Sequence, residues 1–134
     1  MFISKKAKAA HIKLGRRGEK LALKYLYAKN IEPILCNYKV KRGEIDIIAL
    51  DGDELCFIEV KTRRHTTRSR PSEGLSAAQE LRISQAANTY LYAINNPELV
   101  YRFDLIEIII GRWDVVELCY WREHFQARKS SLDV

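Results

Sequence analysis

The sequence has 134 residues, 47% of them hydrophobic and 30% charged, which supplies one core and excludes wholesale disorder. Lys and Arg number 23 against 17 Asp and Glu, for a net charge of +6, an excess that favours anionic partners such as nucleic acid or an anionic membrane surface. No apolar run approaches the roughly 18 residues of a membrane span, and the first thirteen residues lack the apolar stretch of a secretory leader. Cys36, Cys56 and Cys119 show no paired spacing. The expectation is a cytoplasmic protein whose free thiols behave as small buried hydrophobes.

In chain order, residues 1–13 read as a basic flexible tail. A helix follows from Leu14 to Asn30, with Ala22, Leu23 and Leu26 on one stripe, and Asn30 with Pro33 stops it. Glu19 is the odd residue, one turn before that inward stripe; the plain alternative is a boundary carboxylate paired with a lysine. A short strand spans Ile34 to Tyr38, and a turn passes through Lys41, Arg42 and Gly43. Glu44–Leu50 and Glu54–Lys61 then form a hairpin around Asp51-Gly52-Asp53.

Thr62 to Gly74 has no apolar period and reads as a basic loop. Ser76 and Gln79 fit a capping box that opens a helix to about Ile94, closed by Asn95-Asn96-Pro97. Strands Val100–Ile110 and Trp113–Cys119 are joined by a tight turn at Gly111-Arg112. A short helix near Trp121 to Gln126 and a frayed tail at 128–134 finish the chain. Residues 14–127 make one α/β domain with a mixed sheet, in the order α-β-β-β-α-β-β.

The hairpin carries the chemistry. Alternate strand residues share a face, so Glu44, Asp46, Ile48 and Leu50 are expected together, as are Leu55, Phe57, Glu59 and Lys61. With a two-residue turn at Gly52-Asp53, Asp51 faces Glu54, Asp46 faces Glu59, and Glu44 faces Lys61. Opposed carboxylates about 4.5–5.5 Å apart at Cβ repel unless a cation lies between them. A hard divalent cation suits the position, because Mg²⁺ takes one or two carboxylates and keeps waters for substrate oxygens. The bland alternative is a cross-strand Glu44–Lys61 ion pair worth under about 1 kcal/mol. Against it, Asp46 and Glu59 each interrupt an apolar run, and burying two like charges is costly.

The string GEIDIIALDGDELCFIEVKTR, preceded by GRRGEKLA and followed by RFD at Arg102 to Asp104, resembles the YraN-like uncharacterised family of bacterial proteins. That family is placed in the PD-(D/E)XK nuclease superfamily and is similar in layout to archaeal Holliday-junction resolvases. The resemblance spans Gly15 to about Phe125. It implies a restriction-endonuclease-like mixed sheet flanked by helices, with Asp46 and Glu59 as metal carboxylates and Lys61 beside the attacking water. Glu19 corresponds to the helix carboxylate that some members add around the metal; Glu44 belongs to the same string, and we read it as a partner of Lys61, a role the resemblance itself does not assign.

The implied cofactor is Mg²⁺ or Mn²⁺, the implied partner DNA, and the implied activity phosphodiester hydrolysis in branched or structured DNA. The rival reading is a nuclease-fold DNA-binding accessory in recombination, repair or DNA uptake, and RNA is a third substrate. Symmetric cutting of a junction would need a homodimer, and DNA processing admits further protein partners.

The sequence departs from the family pattern in two places. Ser72-Glu73-Gly74-Leu75 lacks a proline found in relatives, and Gln79 stands at a lysine position. The capping box accounts for Gln79. Arg63, Arg64, Arg68 and Arg70, with Lys41 and Arg42, are the candidate DNA-binding residues; the plain alternative is a solvated charge run. Tyr90, Tyr92, Trp113 and Trp121 read as packing aromatics, His11, His65 and His124 show no ligand spacing, and Asp104 is expected to pair with an arginine or cap a turn.

Overall fold

In a computed structural model, which describes residues 4–65, 74–96 and 98–128, the chain forms one five-stranded sheet between two helices. The elements are α1 (Lys5–Ala28), β1 (Glu32–Val40), β2 (Gly43–Asp51), β3 (Glu54–Arg64), α2 (Ala77–Ile94), β4 (Tyr101–Ile110) and β5 (Val115–Phe125). The strands lie in sequence order. β1, β2 and β3 are mutually antiparallel, β3 and β4 are parallel, and β4 and β5 are antiparallel. The single parallel pair follows from α2, since only a crossover connection returns the chain to the same end of the sheet. This is the expected α-β-β-β-α-β-β order with a mixed sheet.

The two faces bury separate cores. Ala22 and Leu26 of α1 pack on Ile47, Ala49, Cys56, Ile58, Ile106 and Ile108. Ile83, Ala86 and Ala87 of α2 pack on the opposite face, against Ile45, Ile48, Leu55, Phe57 and Phe103. Two glycines set how closely the helices approach. A Cβ on Gly18 would fall 1.8 Å from Thr62 Oγ1 on β3, and one on Gly43 would fall 2.0 Å from the Arg82 carbonyl oxygen of α2. The neighbouring Glu19 is thereby drawn close to the sheet, and Glu44 of β2 close to α2.

Several boundaries differ from the sequence expectation. α1 begins at Lys5, so residues 5–13 are helix rather than tail; Ser4 caps it by accepting from the Ala7 N–H at 3.1 Å, and the Lys/Ala-rich stretch that follows consists of strong helix formers. β3 continues beyond Lys61, pairing Thr62, Arg63 and Arg64 with Ile108, Ile109 and Ile110. The expected short helix at Trp121–Gln126 is instead the end of β5. Trp121 pairs with Leu105 and Phe125 with Phe103, across a bulge where Glu123 takes φ 50° and gives its N–H to Asp104 Oδ1 at 3.0 Å. Phe125 also stacks on Phe103 at 4.7 Å, which outweighs any helical preference of the segment.

α2 carries the expected Ser76–Gln79 capping box and ends at Asn95 in the left-handed region. Only Cys56 is buried; Cys36, on the edge strand β1 where most residues are exposed, is exposed, and Cys119 is half-buried. Tyr90 packs on Tyr38 and Phe57, whereas Tyr92 and Trp113 are exposed and Trp121 partly so. Arg68, Arg70, Pro97 and the tail from residue 129 lie outside the described residues.

At the turn end of the hairpin, Arg102 gathers three acids. Its Nε bonds both oxygens of the fully buried Asp104 at 3.1 and 3.0 Å, and its terminal nitrogens reach Glu54 at 2.6 Å and Asp51 at 2.9 Å. Tyr120 donates its hydroxyl to Asp104 from the other side. Burial opposes the Arg102 charge, but the bonds to Glu54, Tyr120 and Asp51 more than compensate and its pKa rises. Removing the cation would strand a buried carboxylate, so Arg102→Met should destabilise the fold by about 3–5 kcal/mol in urea denaturation. A loss below about 1 kcal/mol would show that the network is ornamental.

Candidate active site where β2 and β3 part

The β2–β3 ladder runs outward from Asp51–Glu54 through Leu50–Leu55, Ala49–Cys56 and Ile48–Phe57 to Ile47–Ile58. This is the register expected from a two-residue turn. The next pair would be Asp46 with Glu59, and there the ladder stops. The β1–β2 ladder steps over the same point, from Cys36–Ile47 to Tyr38–Ile45, leaving Asn37 in the left-handed region at φ 55°. The alternation of faces slips there too. Ile45 and Ile48 share the α2 core while Ile47 and Ala49 face α1, so Glu44, Asp46 and Ile48 do not form the simple row expected.

Asp46 sits at this break and replaces the missing backbone pairing with its side chain: Oδ2 accepts the Val60 N–H at 2.8 Å. The Glu59 carboxyl lies against it. Its pKa is raised well above the carboxylate range, first by burial, then by a hydrogen bond shared with Asp46 and by the charges of Asp46 and Glu44; Arg82 pulls the other way. Asp46 is felt on two further elements. Glu19 on α1 is raised by burial and then by Asp46, and the Cys36 thiol on β1 by burial, Glu19 and Asp46. A concentrated negative potential therefore surrounds one carboxylate.

Glu19 is held by the Asn37 side-chain amide at 2.9 Å, not by a lysine. Among the described residues no three His, Cys, Asp or Glu side chains close on one point, so Glu19 stays near the pair without joining it. Glu44, Glu59, Lys61, Gln79 and Arg82 line a cavity of about 180 Å³ on the α2 side. Lys61 and Glu44 share this cavity but form no ion pair among the described residues; the Lys61 ammonium donates to the Gly74 carbonyl at 2.6 Å. Gln79 faces the cavity and also accepts the Ser76 N–H at 2.8 Å through its side-chain oxygen. Lys41 and Arg42 occupy the exposed turn leading into β2, and Arg63 and Arg64 the end of β3.

Two residues near the site were missed by sequence reading. Arg82, one turn along α2, is a cation facing the carboxylates, and only the position of α2 over Gly43 reveals it. Glu107 pairs with Lys61 across the parallel strands. It is buried, its Oε1 has no hydrogen-bond partner among the described residues, and burial raises its pKa against the opposing pull of Arg63, Lys61 and His124. The signal for Glu107 was present in the sequence, since it interrupts the apolar run Leu105–Ile110 as Asp46 and Glu59 interrupt theirs.

The donor set fits a hard divalent cation of the Mg²⁺ type. Asp46 and Glu59 would supply two carboxylate ligands, and Mg²⁺ asks for no more when waters complete its octahedron. Metal-free, the pair relieves its repulsion by retaining a proton. An α/β domain with opposed carboxylates at a strand divergence is thus the class that fold and site define.

The chain belongs to the uncharacterised protein family UPF0102, whose family model matches residues 18–108. It is 46% identical over 101 residues to a UPF0102 protein of Chlorobium limicola, covering 75% of this chain and 78% of that one. A UPF0102 protein of Chlorobaculum tepidum is 43% identical over 96 residues, covering 72% and 74% of the two chains. One from Clostridium kluyveri is 38% identical over 114 residues, covering 84% and 93%. The matched span includes Glu19, Asp46, Glu59, Lys61 and Glu107. No helix among the described residues is long and apolar enough to cross a membrane.

The raised pKa of Glu59 has a consequence for stability. The folded state holds a proton that the unfolded chain releases above its ordinary value of 4.5. Metal-free stability therefore declines as pH rises between that value and the folded pKa, with a slope of up to about 1.4 kcal/mol per pH unit for one proton. Glu59→Gln should make this decline shallower, leaving the smaller contributions of Glu19 and Glu107, and make the metal-free protein the more stable of the two at pH 8. Urea titrations from pH 5 to 9 in chelator check this, and a flat wild-type profile would contradict it.

Proposed function

We propose that this protein is a magnesium-dependent endodeoxyribonuclease of the PD-(D/E)XK type, acting on branched or structured DNA in the cytoplasm. The observation that carries the reading is the pair Asp46 and Glu59, facing one another where the strands part, with Lys61 one face-step beyond Glu59.

Asp46 and Glu59 would hold Mg²⁺ or Mn²⁺, which supplies a lowered water pKa and polarises a phosphate oxygen. Asp46 is fixed for this role by the Val60 N–H. Glu59 gives up its retained proton when the pair takes a cation, so metal binding should strengthen as pH rises. Lys61 and Arg82 open onto the same cavity and offset negative charge that builds on the phosphate oxygens in the transition state. The reaction forms one P–O bond from water and breaks one P–O ester bond, and the proton of water ends on the departing oxygen. Arg63, Arg64, Lys41 and Arg42 ring this end of the sheet and suit flanking phosphates; Arg68 and Arg70 belong to the same proposal.

A second reading, a DNA-binding accessory with little turnover, draws on one observation: the Lys61 ammonium is engaged by the Gly74 carbonyl rather than turned to the carboxylates. A panel of duplex, single-stranded, flap and four-way-junction DNA with Mg²⁺ or Mn²⁺ separates the two. Asp46→Ala and Lys61→Ala should each lower cleavage by at least about 100-fold with the fold retained. In calorimetry Asp46→Ala should abolish Mn²⁺ uptake and Lys61→Ala should preserve it. Cleavage that survives in purified Asp46→Ala would refute the nuclease assignment, and tight binding without cutting by wild type would favour the accessory.

A further inference from the structure

The outer face of α1 carries charge that the proposed site does not use. Lys5, Lys6, Lys13, Arg16, Arg17, Lys20 and Lys24 fall within an arc of roughly 120°, at about 100° per residue, opposite the buried Gly18 and Ala22. All but Arg17 are exposed. The stripe runs from Lys5 to Lys24, about 28 Å along the axis at 1.5 Å per residue, which is close to eight base pairs of duplex at 3.4 Å each.

This arrangement works against the helix that carries it. The first turn holds Lys5, Lys6 and Lys8 and no acid, where the macrodipole favours negative charge. Lys13–Arg17, Arg16–Lys20 and Lys20–Lys24 are like-charge pairs four residues apart, each repulsive. None of the exposed cations of this stripe forms an ion pair among the described residues. The sole acid of the helix, Glu19, is turned to Asn37 and the site. A helix charged in this way is complemented only by an anion from outside.

We propose that the outer face of α1 docks the phosphate backbone of a nucleic-acid duplex and leads it to the Asp46–Glu59 site. Three observations select that partner. The cations follow a line rather than a patch, as a duplex backbone requires. The helix that carries the line lies over the catalytic end: on its inner side Ala7, Ala10, His11 and Leu14 border a cavity with Thr62, Arg63 and Arg64 at the end of β3, and Arg16 lies one turn before Glu19. The apolar face of α1 is buried on the sheet; its exposed large apolar residues, Ile12 and Tyr27, stand fifteen positions apart and form no continuous stripe to enter a membrane interface.

The inference rests on the nucleic-acid reading of the site, but its test does not depend on catalysis. The variant Lys13→Gln/Arg16→Gln/Lys20→Gln/Lys24→Gln keeps helix propensity. Its binding to a short labelled duplex is followed by fluorescence anisotropy in chelator across a salt series. A control carries Lys39→Gln and Arg112→Gln, exposed cations on other elements. The slope of log K against log salt should become shallower by up to about 3.6 in the fourfold variant, near 0.9 for each phosphate no longer neutralised. Affinity should fall by about 100-fold at moderate salt, while the control stays close to wild type and Mn²⁺ uptake by calorimetry is retained.

An unchanged slope in a helical, metal-binding fourfold variant would overturn the proposal. So would loss of binding to phosphatidylserine vesicles alone, which would make the partner a lipid surface. If wild type neither takes up metal nor cuts DNA, the site reading fails while this binding readout keeps its meaning.

Discussion

The hydrogen bond from the Val60 N–H to the Asp46 carboxylate is the interaction around which the rest of the site is arranged. In a regular ladder Asp46 would meet Glu59 through backbone bonds, and both side chains would stand off the sheet. With a side-chain oxygen in place of the partner carbonyl, the strands separate at their last apolar pair, Ile47–Ile58. The Asp46 oxygen is pinned, and the Glu59 carboxyl is brought against it. The irregularity on the other side, where Asn37 adopts a left-handed conformation and reaches Glu19, frees room for the same carboxylate. One substitution of a side-chain acceptor for a backbone acceptor thus accounts for the stopped ladder, the slipped face and the crowded negative charge.

The two ends of the hairpin treat their acids in opposite ways. At the turn end Asp51, Glu54 and Asp104 surround Arg102, and Arg122 adds a second ion pair to Asp51 at 3.3 Å. Every carboxylate there has a cation or a hydroxyl, as buried polar groups require. At the open end Asp46 and Glu59 have each other, and the cations nearby are engaged elsewhere or stand across the cavity: Lys61 on the Gly74 carbonyl, Arg82 on α2. The same nine- and eleven-residue strands therefore hold one compensated and one uncompensated cluster. A fold able to satisfy three acids with two arginines and a tyrosine hydroxyl does not leave two opposed carboxylates for want of means. The uncompensated end is where a cation from outside would be stabilising.

Much of this was legible in the sequence because it depends on local rules. A two-residue turn and period-two alternation gave the β2–β3 register, and an acid within an apolar run marked Asp46 and Glu59. Serine followed three residues later by glutamine marked the start of α2. What escaped depends on tertiary packing. β5 extends to Phe125 because Asp104 captures the Glu123 N–H and Phe103 stacks on Phe125, partners about twenty residues distant. The slip at Asp46 and the Lys61–Gly74 hydrogen bond needed the surrounding strands and the Gly74 backbone. The helical course of residues 5–13 is a different kind of miss: Ser4 was a readable cap, but a run of cations reads more readily as solvated chain than as a helix face.

That last miss changes the meaning of the basic composition. A loose tail would spread its charge over many conformations and attract any polyanion weakly. A helix fixes the same residues on one side at a 5.4 Å pitch, and Gly18 anchors that helix to Thr62 with no room for a Cβ. Glu19, next to the anchor, faces the carboxylates, while Arg16 and Lys20 face outward from the same turn. The close approach at Gly18 therefore ties two charge systems of opposite sign into one unit, the acidic pair of the proposed metal site and the basic line of the proposed docking face. Substituting Gly18 would disturb both together, whereas changes on the outer face alone would leave the acidic pair in place.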